Sequence, residues 1–311
     1  MSDPGNKISL NGALTVLGVS GLYVLYAWLS GGVRADQWQL LVLFLGCYFV
    51  GGAARRFILA FSVFLVYWWL YDSMKLYPNY LFKSVSIQEL YNLEKKFFGF
   101  EYAGKIVMPS EYFQANLSTF LDVGTAIFYL CWIPVPLVFA FILFLKDQTL
   151  FLRFSIAFFI INLIGFVIYY LYPAAPPWYV TEYGFIHDYS VKSNPAGLLR
   201  FDQLIGFPLF EGIYSKGSNV FAAMPSLHSA YPLAVFYYGR KLGSRSLNAF
   251  FFTIMTGIWF SAVYLNHHYV LDVLAGIICA VGGIWVFEKI RVKPWASALL
   301  EKYYKIISAK K

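Results

Sequence analysis

The chain has 311 residues, of which 59% are hydrophobic and only 13% charged, where soluble globular domains carry about 25% charged residues. That composition excludes a soluble globular protein and reads as an all-α, polytopic membrane helix bundle, a single membrane domain over residues 1–311 with no sizeable soluble domain. The net charge of +8 does not indicate nucleic acid as a partner, because the basic residues fall in the gaps between apolar runs and report membrane orientation instead.

Apolar runs cover residues 10–30, 38–54, 57–71, 121–145, 150–172, 221–238, 247–265 and 270–287. A helix needs about 20 residues to cross about 30 Å of hydrocarbon, so the second and third runs are marginal. The expectation is eight spans, or six without that pair. The first run lacks a small-x-small cleavage site and reads as a retained span. Cys47, Cys131 and Cys279 lie inside apolar runs, so neither a disulfide framework nor a thiolate metal site is expected. Most of the 24 Lys and Arg fall on one side if the amino terminus is cytoplasmic, and eight spans then leave a basic cytoplasmic tail over 289–311 whose role is contact with anionic lipid.

Two long loops lie on the other, non-cytoplasmic side. Within the first, about 72–120, the stretch from Ser86 to Phe98 has apolar residues at helical spacing with charges between, which suits either an interfacial helix or one packed over the bundle. The second, 173–220, opens Pro-Ala-Ala-Pro-Pro-Trp-Tyr; its prolines stop the preceding helix, and Trp178 and Tyr179 suit the headgroup level.

Three of the four histidines are concentrated in two strings, one containing His228 and the other His267, His268 and Asp272. Each string opens an apolar run at its non-cytoplasmic end. Ionisable groups in such segments are costly and mark function. On a helix, His268 and Asp272 share a face, so the carboxylate accepts from one ring nitrogen and makes the other more nucleophilic. A carboxylate-backed histidine facing a second histidine suits transfer of a phosphoryl-type group: one attacks phosphorus and the other protonates the departing oxygen. Pro225 and Ser226 stand where a helix begins, so free amides and the Ser226 hydroxyl there form a cradle for phosphate oxygens.

These strings resemble the type 2 phosphatidic acid phosphatase superfamily, which includes lipid phosphatases and sphingolipid synthases. Its Pro-Ser-Gly-His motif is matched by Pro225, Ser226, Leu227 and His228, with Leu for Gly. Its Ser-Arg-x5-His-x3-Asp motif is matched by Ser261, His268 and Asp272, with Ala262 for Arg. The Lys-x6-Arg-Pro motif is barely present, with Gly165 at the Lys position and Tyr172-Pro173 at its end. The resemblance implies a six-helix phosphatase-like core, a catalytic region of about 121–288, His268 as nucleophile, Asp272 as its orienter and His228 as general acid and then base.

Loss of the cationic clamp leans toward a phosphodiester donor, which carries less charge than a monoester. Lys192, Arg200 and Lys216, in the second loop, are candidates to replace it, and Asn266 and His267 are candidates to bind headgroup hydroxyls. His187 reads as a loop residue and Tyr264 as packing. Within the superfamily the chain is most similar to fungal inositol phosphorylceramide synthases. The features that carry this are the Pro-Pro-Trp-Tyr loop, Pro-Ser-Leu-His-Ser, the doubled histidine before Tyr269, and the Leu-Tyr-Asn-Leu-Glu-Lys segment with the later Pro-Ser-Glu-Tyr-Phe. That similarity implies a transferase moving phosphoinositol from phosphatidylinositol to ceramide or dihydroceramide through a phosphohistidine, releasing diacylglycerol, with no metal or other cofactor. It further implies a site on the periplasmic side of a bacterial inner membrane or in a fungal Golgi lumen, and a small membrane subunit as a partner in fungal relatives. The alternatives are a lipid phosphatase using the same residues, or a lipid-binding protein in which the histidines are structural.

Overall fold

The computed structural model describes residues 8–215, 217 and 219–308. The chain opens with α1 (Leu10–Leu29), capped by the Ser9 hydroxyl, which accepts from the Gly12 amide. It continues through α2 (Ala35–Val50) and α3 (Gly52–Ser73) to the first long loop. That loop folds into α4 (Gln88–Phe98), the hairpin β1 (Phe100–Tyr102) and β2 (Lys105–Val107), and α5 (Pro109–Ala115). Next come α6 (Thr119–Leu130), α7 (Pro134–Lys146) and α8 (Gln148–Leu171). The second loop carries α9 (Pro177–Tyr183), α10 (Leu199–Ile205) and α11 (Leu209–Tyr214). The chain ends with α12 (Leu227–Gly239), α13 (Arg245–Tyr264), α14 (Val270–Ile290) and α15 (Pro294–Ile307).

The all-α membrane bundle expected from the sequence is met, and length and apolarity alone mark six of its runs as spans. Among the described residues five helices, α1, α3, α8, α13 and α14, are long and apolar enough to cross a membrane, and the bent pair α6–α7 makes a sixth. The fourth run breaks by 40° because Pro134 and Pro136 start a new helix. The second run gives only the 16 residues of α2, about 24 Å of helix. The sixth run is helical only from Leu227, and its 13 residues extend about 20 Å.

Burial explains the arrangement. The span window of α1 is only 11% buried and turns Leu14, Leu17 and Leu22 outward, as a lipid-facing helix must. By contrast α8 is 56% buried, and α12 packs between it, α13 and α14 in a core that includes Phe154, Phe158, Ile161, Ala230, Ala234 and Ala280. Close approach is built from small residues: Gly283 of α14 lies against Ile161 of α8, and Gly239 of α12 against Phe251 of α13.

The first six residues of the sixth run form an extended strap instead of a helix. Bridges from Ser86 to Ala174 and from Ala174 to Ala222 tie the two long loops to this strap, with Ser86 N donating to Pro173 O at 2.8 Å and Ala174 N to Phe221 O at 3.0 Å. Asn79, fully buried, donates from Nδ2 to the carbonyls of Tyr169 and Phe221, each at 2.8 Å. Helix α4 packs over the bundle with Leu90 and Glu94 and leaves Leu93 and Phe97 exposed. The tail expectation is corrected. Residues 294–307 are not simply a lipid-contacting segment: α15 docks on α3, burying Ala296 and Ile307 and placing the Tyr303 hydroxyl 2.9 Å from Leu59 O.

Candidate active site

The strap and the α13–α14 turn converge at one end of the core. Ser226 caps α12: its hydroxyl accepts from the Ser229 amide at 3.3 Å, and Pro225, buried just before it, fixes the entry of the chain. The Ser226 amide donates to Asp272 O at 2.9 Å, so the two histidine strings are joined directly through the backbone. Gly276, one turn further along α14, makes this possible. A Cβ there would collide with the Ser226 carbonyl oxygen and lie 3.2 Å from Ser229 Cβ.

His228 and His268 face each other, with Nδ1 of the first 3.1 Å from Nε2 of the second. Asp272 lies behind His268, its Oδ2 at 3.4 Å from Nδ1 while also accepting from the Tyr269 amide at 2.9 Å. The expectation that His268 and Asp272 share a helical face is corrected in one respect. His268 precedes the first residue of α14 by two positions, its amide tied back to Ala262 O, and the pairing is made across the helix start. Asp272 is fully buried and His268 is 5% exposed. With the Nδ1 proton of His268 directed at Asp272, its Nε2 carries the lone pair, and the proton between the rings sits on His228. In that tautomer the arrangement can offer a lone pair on one ring and, opposite it, a proton on the other.

Aromatic rings hold both histidines. Tyr129, at the end of α6, stacks on His228 at 5.0 Å and on His267 at 5.1 Å; Trp132, in the break between α6 and α7, meets His228 edge-on at 4.3 Å. The break in that span thus serves to place Trp132. Tyr214 of α11 also stacks on His267 at 4.9 Å, and His267 Nε2 donates to Pro195 O at 2.9 Å. Burial, with His268 beside it, pushes His267 down to about 3, so this ring is neutral at physiological pH and braces the second loop with one nitrogen committed.

Asn266 adopts φ 62°, a left-handed conformation that asparagine tolerates. It pins α9 by accepting from Trp178 N at 3.0 Å and donating to Thr181 Oγ1 at 3.1 Å. Arg200 is held by Asp122 at 2.8 Å and lies over the Tyr264 ring, while Tyr264 also donates to Asp122 at 3.0 Å. Lys216 lies outside the described residues. Lys192 lines a cleft of about 970 Å³ together with Asp188, Ser190, Asn194, Pro195 and Asn219. Among the described residues no group of three or more His, Cys, Asp or Glu is placed to hold a metal ion.

The Arg200–Asp122 pair gives a direct test of Arg200's part. Arg200→Ala leaves the 6%-exposed Asp122 without its cation, at a cost of about 3 kcal/mol. The expected result is a clear drop in Tm in detergent, with KM for the lipid donor little changed. A raised KM at unaltered Tm would make Arg200 a phosphate ligand instead.

Sequence reasoning did not find Tyr129, Trp132 or Tyr214, and nothing distinguishes them among the 25 tyrosines and nine tryptophans. It also passed over Glu94, for which a signal existed: with Ile87 and Leu90 it falls on the apolar stripe of its helix, not on the charged face.

The geometry agrees with comparison to known proteins. The family model described as the PAP2 superfamily matches residues 106–286, more than half of the chain and all of both histidine strings. The chain belongs to the PAP2 superfamily. Among PAP2 relatives, the phosphoinositol dihydroceramide synthase of Bacteroides thetaiotaomicron is 42% identical over 276 residues, covering 88% of this chain and 90% of the relative. The inositol phosphorylceramide synthase catalytic subunit of Saccharomyces cerevisiae is 28% identical over 284 residues, covering 85% and 67%. The inositol phosphorylceramide synthase of Candida albicans is 35% identical over 173 residues, 53% of this chain and 36% of the relative. No solved structure matches the chain. The subgroup resemblance expected from the sequence features is thus met by these PAP2 relatives, and the chain is an integral, multi-pass membrane protein.

Proposed function

We propose that this protein transfers phosphoinositol from phosphatidylinositol to the primary hydroxyl of a ceramide or dihydroceramide, releasing diacylglycerol. The observation that carries the reading is the facing pair His228–His268 with Asp272 behind it. The names of the relatives supply the headgroup and the acceptor class.

The donor phosphate enters between the two rings and takes the place of their hydrogen bond. His268 Nε2 attacks phosphorus, the bond from phosphorus to the glycerol oxygen breaks, and His228, entering this step as the doubly protonated imidazolium, gives one proton to that oxygen and becomes neutral. Asp272 stabilises the positive charge that develops on the phosphorylated ring. Diacylglycerol then leaves and the acceptor enters. His228, now neutral, takes the proton of the ceramide hydroxyl; the oxygen attacks phosphorus, and the P–N bond breaks to restore His268. The first amides of α12 beside Ser226 stabilise the charge on the phosphoryl oxygens, and the polar cleft around Lys192 offers donors and acceptors to the inositol ring. Read with eight spans and a cytoplasmic amino terminus, the Lys and Arg distribution supports a site on the non-cytoplasmic face.

The test is turnover by the purified protein on phosphatidylinositol in detergent or vesicles, with and without dihydroceramide. Inositol phosphoryldihydroceramide and diacylglycerol in equal amounts, formed only with the acceptor present, are expected. Release of free inositol phosphate at the same rate without the acceptor would overturn the reading and leave a hydrolase.

A further inference from the structure

Helix α4 lies in the first long loop, outside the stretch matched by the PAP2 family model, yet it sends one carboxylate into the active-site end of the bundle. Glu94 is completely buried. Its Oε1 accepts from Val270 N at 2.8 Å and its Oε2 from Leu271 N at 3.0 Å, so both oxygens bind the first two amides of α14 across 176 and 177 residues of sequence. Those amides follow His268 by two and three positions, and Leu271 immediately precedes Asp272. Among the described residues no lysine or arginine forms an ion pair with Glu94, and its hydrogen-bond partners are the two amides.

A helix N-terminus with free amides is a ready anion site. Here two of the amides are already committed to a protein carboxylate. The phosphate is thereby left to the start of α12, beside His228, and the first turn of α14 is locked in the position that puts Asp272 behind His268. We infer that Glu94 is a positioning residue for the nucleophile: its ionised carboxylate clamps the α14 N-terminus, fixing the His268–Asp272 pair and reserving phosphate binding for α12. This rests on the reading of His268 as nucleophile.

The clamp needs the charge. A protonated carboxyl turns one oxygen into a donor, which cannot accept from the second amide. The groups facing Glu94 are Asp272 of α14, the buried Tyr269 at its cap, and Tyr91 on α4, whose hydroxyl donates to Glu111 of α5, itself 3.9 Å from Lys95. Burial, with Asp272 adding to it, pushes Glu94 up to about 7. The folded chain therefore binds this proton between pH 4.5 and about 7 where the unfolded chain does not. Glu94's contribution to stability declines as pH rises through that window. The fraction with an intact clamp moves the opposite way, rising as pH passes through about 7.

The experiment compares wild type, Glu94→Gln and Glu94→Asp in two measurements on full-length protein. In the first, the rate at which diethyl pyrocarbonate modifies His268 is followed by peptide mass spectrometry from pH 6 to 8, with no lipid substrate present. In the second, kcat and KM are measured over the same range. Glu94→Gln is expected to slow His268 modification and to lower kcat about 10-fold at nearly constant KM, as a small misplacement of reacting groups does. It should also lose the portion of the pH dependence near 7, and Glu94→Asp, which keeps the charge, should recover part of each. A Glu94→Gln protein that is less stable but whose folded fraction keeps wild-type His268 reactivity, kcat and pH profile would overturn the inference, because that is the result of a structural role alone. If wild type has no transferase activity, the proposed function falls, while the modification rates still decide whether Glu94 sets the state of His268.

Discussion

His268→Ala is expected to abolish phosphoinositol transfer, lowering kcat by at least about 10⁴-fold while leaving the protein folded. Residues of a nucleophile–orienter unit act together, so loss of the nucleophile removes nearly everything the unit provides. The fold should survive, because the contacts that define this turn are made by the backbone: His268 N and His267 N both donate to Ala262 O, and Asp272 Oδ2 still accepts from Tyr269 N. Circular dichroism and Tm near wild type, with no product above background, is the outcome to look for. Transfer at even a tenth of the wild-type rate would mean that the histidines are structural, as the lipid-binding alternative holds.

The second large effect arises from packing and not from chemistry. Gly276→Ala should cost both stability and activity, because its methyl group has no room against the Ser226 carbonyl oxygen and lies 3.0 Å from the carbonyl carbon. Backbone cannot step aside as a flexible side chain can, so α14 must move away from α12. Overpacking of this kind costs about 1–3 kcal/mol. The displacement also breaks the 2.9 Å bond from Ser226 N to Asp272 O and widens the gap between His228 and His268. A misplacement of about 1 Å costs on the order of 10²-fold in rate. A Gly276→Ala protein should therefore show a lowered Tm together with a kcat reduced by about that factor. Wild-type activity would show that the two helix starts are not held in register through this contact. Gly282, on the same helix but with open space around it, serves as the control: Gly282→Ala should leave both quantities unchanged.

The meeting of His228, His268 and Asp272 was readable in the sequence because ionisable residues stand out in a chain this apolar, and because four-residue spacing pairs a histidine with a carboxylate. Even so, the pairing is made across the start of α14, since Tyr269 and not His268 caps that helix. Hydropathy located the apolar runs but not where each turns helical. Pro134 and Pro136 break the fourth run, and the bridge from Ala222 to Ala174, itself bridged to Ser86, holds the start of the sixth out of the helix. Periodicity placed α4 and also put Glu94 on its apolar stripe, but a glutamate is read by type as solvent-facing, so that signal was passed over. Arg200 illustrates the limit on charged loop residues. Its partner Asp122 is 78 positions away, a distance at which no sequence pattern links them.

Direct capture of the covalent intermediate tests the account most sharply. Protein mixed with phosphatidylinositol in the absence of ceramide is quenched under alkaline conditions, where a phosphohistidine survives, and its peptides are analysed by mass spectrometry. The expected result is an inositol phosphate adduct on the peptide containing His268, absent from His268→Ala and discharged to inositol phosphoryldihydroceramide when dihydroceramide is added before the quench. Ceramide-dependent product with no adduct at any time, or an adduct on His228 instead, would contradict the assignment of His268 as the residue that carries the headgroup.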